Sequence, residues 1–160
     1  MKQIESAGAI QVQASLLDRL TEEDHGMSLR RYKQSVIRDL QWLFNAGSME
    51  TAEDLKSYPT VQRSAVNFGM RDLAGTMLGN ADAVRLEEVM RRAILDFEPR
   101  IIPTSLRIRV MVDPESMHTN AITFEILAEL WWQPVPERLY VRTILDLELG
   151  EFEVQALEGA

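Results

Sequence analysis

The sequence contains no cysteine, which removes both a disulfide framework and any thiolate metal site. Histidine is nearly absent: His25 and His118 are the only two. Neither has the neighbours that a zinc site or a serine-type triad needs, and both read as solvated loop residues. The glycines are isolated and none is followed by Lys-Ser or Lys-Thr, so there is no phosphate-cradling loop. A Gly-x-Ser-x-Gly elbow is missing as well. No apolar run approaches the ~20 residues of a membrane span, and Met1-Lys2-Gln3-Ile4-Glu5 lacks the apolar stretch of a signal peptide. Basic residues are in the minority, 17 Lys and Arg against 25 Asp and Glu, for a net charge of −8. That balance argues against non-specific nucleic-acid binding, whose footprint is a basic stripe. It favours solubility and basic protein partners. The expectation is a cytoplasmic protein that binds no metal, cofactor, small molecule or nucleic acid and does not insert into a membrane.

What the sequence does contain is a chain of one-domain length. Its 160 residues can bury roughly 70% of the surface that the unfolded form exposes. An apolar fraction of 46% argues against disorder of the whole chain. The patterning divides at Phe97-Glu98-Pro99-Arg100, followed by Ile101-Ile102-Pro103. Before this stretch the chain reads as helix and loop; after it, as strand. From Ala83 to Phe97, the residues Leu86, Val89, Met90, Ala93, Ile94 and Phe97 recur at the spacing of one helix face, with Asp82 as the expected cap. Glu87 and Glu88 stand one helical turn ahead of Arg91 and Arg92, which predicts two ion pairs on the opposite face. Pro99 ends the helix, because it has no amide hydrogen and clashes with the preceding turn. It also pushes Glu98 towards an extended conformation. Glu98 and Arg100 therefore sit on a stiff, non-helical joint, and the expectation is that both face outward.

Residues 1–14 are small and polar and read as a mobile arm. Ser15-Leu16-Leu17-Asp18-Arg19-Leu20 is amphipathic but too short to be a stable helix alone, and reads as a segment pinned to the domain. Ser28 is the expected N-cap of a helix running to about Ala46 or Gly47. Leu29, Tyr32, Val36, Leu40 and Leu43 form its apolar face, broadened by Ile37 and Phe44. Arg30, Arg31, Lys33 and Arg38 take the other faces, and the early cations oppose the helix dipole. A polar linker with an acidic turn at Glu53-Asp54 leads to Pro59, suited to the first turn of a short helix. Gly69 suits a left-handed or close-packed stop, and Met70 to Asp82 reads as a loop.

The remainder alternates with period two. Leu106, Ile108, Val110 and Val112 share one face of a first strand, and Asp113-Pro114-Glu115-Ser116 is a turn. Ile122, Phe124, Ile126, Ala128, Leu130 and Trp132 share a face of the second. Leu139, Val141, Thr143, Leu145, Leu147 and Leu149 share a face of the third. Gly150 turns the chain into a short last strand, Phe152-Glu153-Val154. Arg107, Arg109 and Arg142 are positioned to meet Glu125 and Glu129 across strands. The expected fold class is α+β, with N-terminal helices packed on one face of a C-terminal antiparallel β-meander. A long outer strand would leave an exposed edge, which is a binding surface on physical grounds alone.

No pair of carboxylates carries a hydrolytic signature. Glycoside hydrolysis needs two carboxyls about 5–9.5 Å apart across the sugar bond, and Asp96, the nearest to Glu98, lies on roughly the opposite face. Asp146 and Glu148 have no supporting motif. In Trp131-Trp132-Gln133-Pro134, alternation puts one indole in the core and one outside, not two on one stacking face.

Five blocks in order carry a resemblance. They are Leu16-Leu17-Asp18-Arg19-Leu20; Ser35-Val36-Ile37-Arg38-Asp39-Leu40 leading to Trp42-Leu43-Phe44-Asn45; Tyr58-Pro59 to Asn67-Phe68-Gly69; Phe97-Glu98-Pro99-Arg100; and Thr143-Ile144-Leu145-Asp146-Leu147. Together they resemble the TssE family of type VI secretion baseplate subunits, which is similar to the small wedge protein of contractile phage tails and was long labelled lysozyme-like. The resemblance implies one wedge domain over residues 15–155, outside which lie the arm and a tail over residues 156–160. It implies a non-enzymatic baseplate component at the cytoplasmic face of the inner membrane, with TssF and TssG as neighbours. Such a subunit seeds polymerisation of the TssB/TssC sheath, with Glu98, Pro99 and Arg100 as the partner-binding signature and a sheet edge that accepts strands. Two other readings stay open: a regulatory adaptor of related fold, and a peptidoglycan-cleaving lysozyme-like enzyme.

Overall fold

The computed structural model describes residue 20 and residues 28–70, 80–111 and 121–157. Helix α1 (Leu29–Asn45) is followed by a 3-10 turn (Met49–Thr51), the single-turn helix α2 (Pro59–Gln62) and a second 3-10 turn (Ala65–Asn67). Helix α3 (Asn80–Phe97) and a third 3-10 turn (Pro103–Ser105) lead into β1 (Arg107–Met111), β2 (Ala121–Leu130), β3 (Glu137–Asp146) and β4 (Phe152–Ala156). The strands form one antiparallel sheet in the order β1-β2-β3-β4. The fold is α+β, as the patterning predicts. The arm over residues 1–14, the amphipathic piece except Leu20, both histidines and the Asp113-Pro114-Glu115-Ser116 turn lie outside the described residues. No described helix is long and apolar enough to cross a membrane.

Helix α1 begins where its cap predicts: Ser28 Oγ accepts the Arg31 amide at 3.3 Å. Its apolar stripe buries Tyr32, Val36, Leu40, Leu43 and Phe44. Helix α3 starts at Asn80, three residues earlier than Ala83, so Asp82 lies within its first turn and not before it. Its inner face buries Leu86, Met90, Ala93 and Ile94. Opposite these stripes the sheet presents Leu106, Ile108, Phe124, Ile126, Ala128, Leu130, Leu139, Val141, Leu145 and Phe152, all buried. The period-two face and the period-3.6 faces thus meet in one core. Strand β3 stops at Asp146 because its carboxylate accepts the amides of Glu148 and Leu149 and closes a turn. Leu147 and Leu149 are consequently exposed, not the inward positions that alternation assigns them.

Gly69 is the position where glycine is required. Its φ is +126°, and a Cβ there would stand 2.4 Å from the carbonyl oxygen of Ala46. That close approach lets Met70 donate to Ala46 and accept from Ser48, each at 2.9 Å. The segment after α2 is thereby laid against the end of α1.

Candidate partner-binding site

The joint forms as its proline requires. Helix α3 makes its last regular bond from the Glu98 amide to Ile94, and a tight turn follows, closed by the Ile101 amide on the Glu98 carbonyl at 3.2 Å. The chain then runs antiparallel to the end of β2. The Trp131 amide donates to Arg100 and the Ile102 amide to Glu129, each at 2.8 Å, around an isolated bridge between Ile101 and Leu130. The joint is therefore hydrogen-bonded to helix α3 where its turn begins and to the sheet where the turn ends.

The motif's charges do not face outward, which overturns the expectation of two outward charges. Glu98 is 5% exposed, and Arg100 grips it side-on, Nε to Oε1 at 2.7 Å and Nη2 to Oε2. The Arg100 main-chain amide also donates to Glu98 Oε1, at 3.1 Å. The guanidinium continues to α1, donating to Asp39 Oδ2 at 2.6 Å and to Ser35 Oγ at 3.1 Å. Asp39 is shared, since its other oxygen accepts from Arg38, whose guanidinium lies 4.9 Å from the Trp42 ring centroid. Burial works against the charge on Arg100, but the hydrogen bonds and charges of Glu98 and then Asp39 outweigh it and raise its pKa. The charges turn inward because a half-buried guanidinium and a buried carboxylate would each carry a large desolvation cost unpaired. Pro99 alone of the three is exposed.

The same region holds the aromatic pair. Trp132 packs on Tyr32 with centroids 5.3 Å apart, while Trp131 is exposed. One indole inside and one outside is the expected arrangement. Burial raises the Tyr32 pKa; Arg100 lowers it and Glu98 raises it.

The sheet edges also differ from expectation. The two ten-residue strands, β2 and β3, are interior, and the edges are the five-residue strands β1 and β4. Each edge meets side chains of a helix. On β1, Glu87 Oε1 accepts the Val110 amide at 2.7 Å, and Arg91 Nη1 donates to the carbonyl of Leu106, just ahead of the strand, at 3.0 Å. Their spacing predicts that these two residues pair with each other along α3. They turn to β1 instead, because unmet main-chain groups beside a helix cost more than an exposed ion pair returns. Arg92 likewise pairs with Asp96, at 3.7 Å, and not with Glu88. On β4, Asn45 Oδ1 accepts the Phe152 amide, Asn45 Nδ2 and Gln41 Nε2 donate to the Phe152 carbonyl, and Gln41 Oε1 accepts the Val154 amide. The register sets Glu125 between Arg109 and Arg142, as expected, but Glu129 faces Arg138, and Arg107 faces Leu127.

Ser35, Asp39, Gln41 and Asn45 escape a reading of the sequence. Each pair stands one helical turn apart on α1, Ser35 with Asp39 and Gln41 with Asn45, a spacing that marks a shared face. Nothing in the spacing names what that face meets.

A family profile described as "Baseplate wedge protein gp25" matches residues 30–135, a stretch that holds α1, the joint, β1 and β2. No curated protein matches the chain. Among solved structures, a Geobacter sulfurreducens protein provisionally described as a tail lysozyme aligns over 84% of this chain and 99% of its own, at 13% identity and a TM-score of 0.47. At that level the likeness carries no argument about activity.

Proposed function

This chain belongs to the baseplate wedge protein gp25 family, and on that footing we propose that it is the TssE-like subunit of a type VI secretion baseplate. Membership makes it a baseplate component. The finer reading is that it joins the wedge, formed with TssF and TssG, to the contractile sheath of TssB and TssC and starts sheath polymerisation. It does so at the cytoplasmic face of the inner membrane, without catalysis.

The family match carries this reading, and one feature of the structure supports it. The joint is a rigid corner bonded to both a helix and the sheet, with Pro99 at its exposed tip. In this proposal Pro99 and the accessible rim of Arg100 meet the partner, and Glu98 holds Arg100 in position. The two short edge strands have main-chain groups already met by helix side chains, so in this proposal a sheath strand would have to displace those side chains. Against an enzymatic reading, Glu98 is buried and gripped by Arg100, which leaves its carboxylate no access to a substrate.

The test is complementation of a deletion strain that carries a fluorescent sheath subunit. Wild-type protein should restore sheaths and bring down TssF and TssG. Pro99→Ala, which leaves the ion-pair cluster in place, should lower sheath number while the protein stays folded. Capture of a response regulator in place of baseplate subunits would replace this reading with the adaptor. Muropeptide release from peptidoglycan, abolished by Glu98→Gln, would replace it with the enzyme.

A further inference from the structure

The buried stripes of both long helices meet the sheet face that carries Phe124, Ile126 and Val141. Alternation sends the residues between these to the opposite face. There the register sets Leu127 beside Tyr140, and one row along it sets Glu125 between Arg109 and Arg142. On the other side of Leu127, Glu129 stands opposite Arg138. Leu127 and Tyr140 are half-buried, yet neither belongs to the core.

The charges of this outer face are unspent. Among the described residues, the side chains of Arg109, Glu125, Arg138 and Arg142 make no hydrogen bond or ion pair, although the register brings opposite signs face to face. Arg107 adds a further cation, its guanidinium held only by the main-chain carbonyls of Thr104 and Leu106. The arginines thus outnumber Glu125 and Glu129 around Leu127 and Tyr140. The other acids of the face lie towards its far end and are engaged: Asp146 accepts the amides of Glu148 and Leu149, and Glu153 accepts from Gln155. In a chain of net charge −8 this half of the face is basic with an apolar floor.

We propose that the outer face of the sheet is a second docking surface, which takes an acidic amphipathic helix of a partner protein lying along β2. The Cα positions of Arg109 and Arg142 are two strand spacings apart, roughly 10 Å. A helix with its side chains is about 10 Å across, so one resting on Leu127 and Tyr140 has a guanidinium at each flank. Glutamates on both sides of an apolar stripe complete the match. A helix also meets its own main-chain hydrogen bonds, whereas a strand laid on a sheet face finds no main-chain partners there. The surface is separate from the Glu98 joint and from both sheet edges, and it goes beyond the baseplate reading without depending on it.

The test uses the full chain and two synthetic helical peptides of about 18 residues, five turns, followed by amide NMR. Both carry one leucine stripe, flanked by glutamate in the first and by lysine in the second. The glutamate peptide should shift Leu127, Tyr140 and Arg142 and leave Leu40 and Met90, in the helices, in place. Its affinity should fall as salt rises. Arg109→Gln and Arg142→Gln should each weaken it about threefold. Arg109→Glu with Arg142→Glu should weaken it at least tenfold and make the lysine peptide the tighter binder. Both arginines are exposed and unpaired, so these variants should melt with the wild type; if the double variant melts lower, the two glutamine variants decide. No binding, shifts confined to the helices or the joint, preference of the wild type for the lysine peptide, or an affinity unmoved by these substitutions would each overturn the proposal. Self-association of the chain mapped to the same residues would overturn it in favour of a second copy.

Discussion

Arg100 and Asp39, 61 positions apart in sequence, meet at 2.6 Å. Through that contact the first long helix is tied to the corner that launches the sheet, and Glu98 completes the set from the corner itself. The motif's two charges are used within the fold, so the corner keeps its shape before any partner arrives.

Removing Arg100 should cost more than removing Glu98. Arg100→Ala leaves a carboxylate whose side chain is 4% exposed with only a main-chain amide as partner, and should destabilise by about 3–5 kcal/mol. Glu98→Ala leaves the guanidinium with Asp39 and Ser35 at 19% exposure, and should cost about 1–3 kcal/mol. Urea unfolding of both variants checks the order. A cycle with Asp39→Ala should give a coupling to Arg100 of about 1–3 kcal/mol.

Thr143 is fully buried in β3 and its hydroxyl finds no hydrogen-bond partner among the described residues. Thr143→Val replaces the hydroxyl with a methyl at nearly constant shape and should stabilise by about 1–2 kcal/mol. Thermal unfolding reads the shift, and a lower melting temperature would place an unseen partner at the hydroxyl.

Tyr32 gives the protein a share of its alkaline sensitivity. Burial raises its pKa above the ordinary value of 10.0, so above that value the unfolded chain loses the phenolic proton while the folded chain keeps it. The folded state then binds more protons, and stability falls as pH rises. The contribution is fully present below pH 10.0 and is lost as pH climbs through the raised folded value. Tyr32→Phe should show a shallower loss of stability over that range, measured by denaturant unfolding at stepped pH.

Gly69→Ala should be among the most damaging single-methyl additions. The new Cβ meets the Ala46 carbonyl at 2.4 Å in a backbone at φ +126°, so strain and clash combine to about 2–4 kcal/mol. Loss of protection at the Met70 amide, which bonds to Ala46, would locate the damage by hydrogen exchange.

The elements were legible because each is set by a short-range rule. Ser28 caps α1, Pro99 stops α3, Gly150 takes a positive φ of 69°, and alternation marks four strands whose inner face is buried. The errors are local too. Leu147 and Leu149 continue the alternation on paper, but Asp146 bonds their turn instead. Helix α3 starts three residues ahead of the position that the apolar spacing marks.

The direction in which polar side chains spend their hydrogen bonds was not legible. Glu87 and Arg91 have the spacing of an intrahelical pair, yet β1 lies within reach and its unmet main-chain groups are the costlier ones to leave dry. Glu98 and Arg100 look like an exposed signature, but whether they point out or in depends on Ser35 and Asp39 arriving from a helix more than sixty residues upstream. Amino-acid order by itself determined the period of each element and hence the α+β architecture, since period and breakers act over a few residues. Only the tertiary structure decided that the corner's charges are internal and that both sheet edges meet side chains, because desolvation is a property of what surrounds a group and not of its neighbours in the chain.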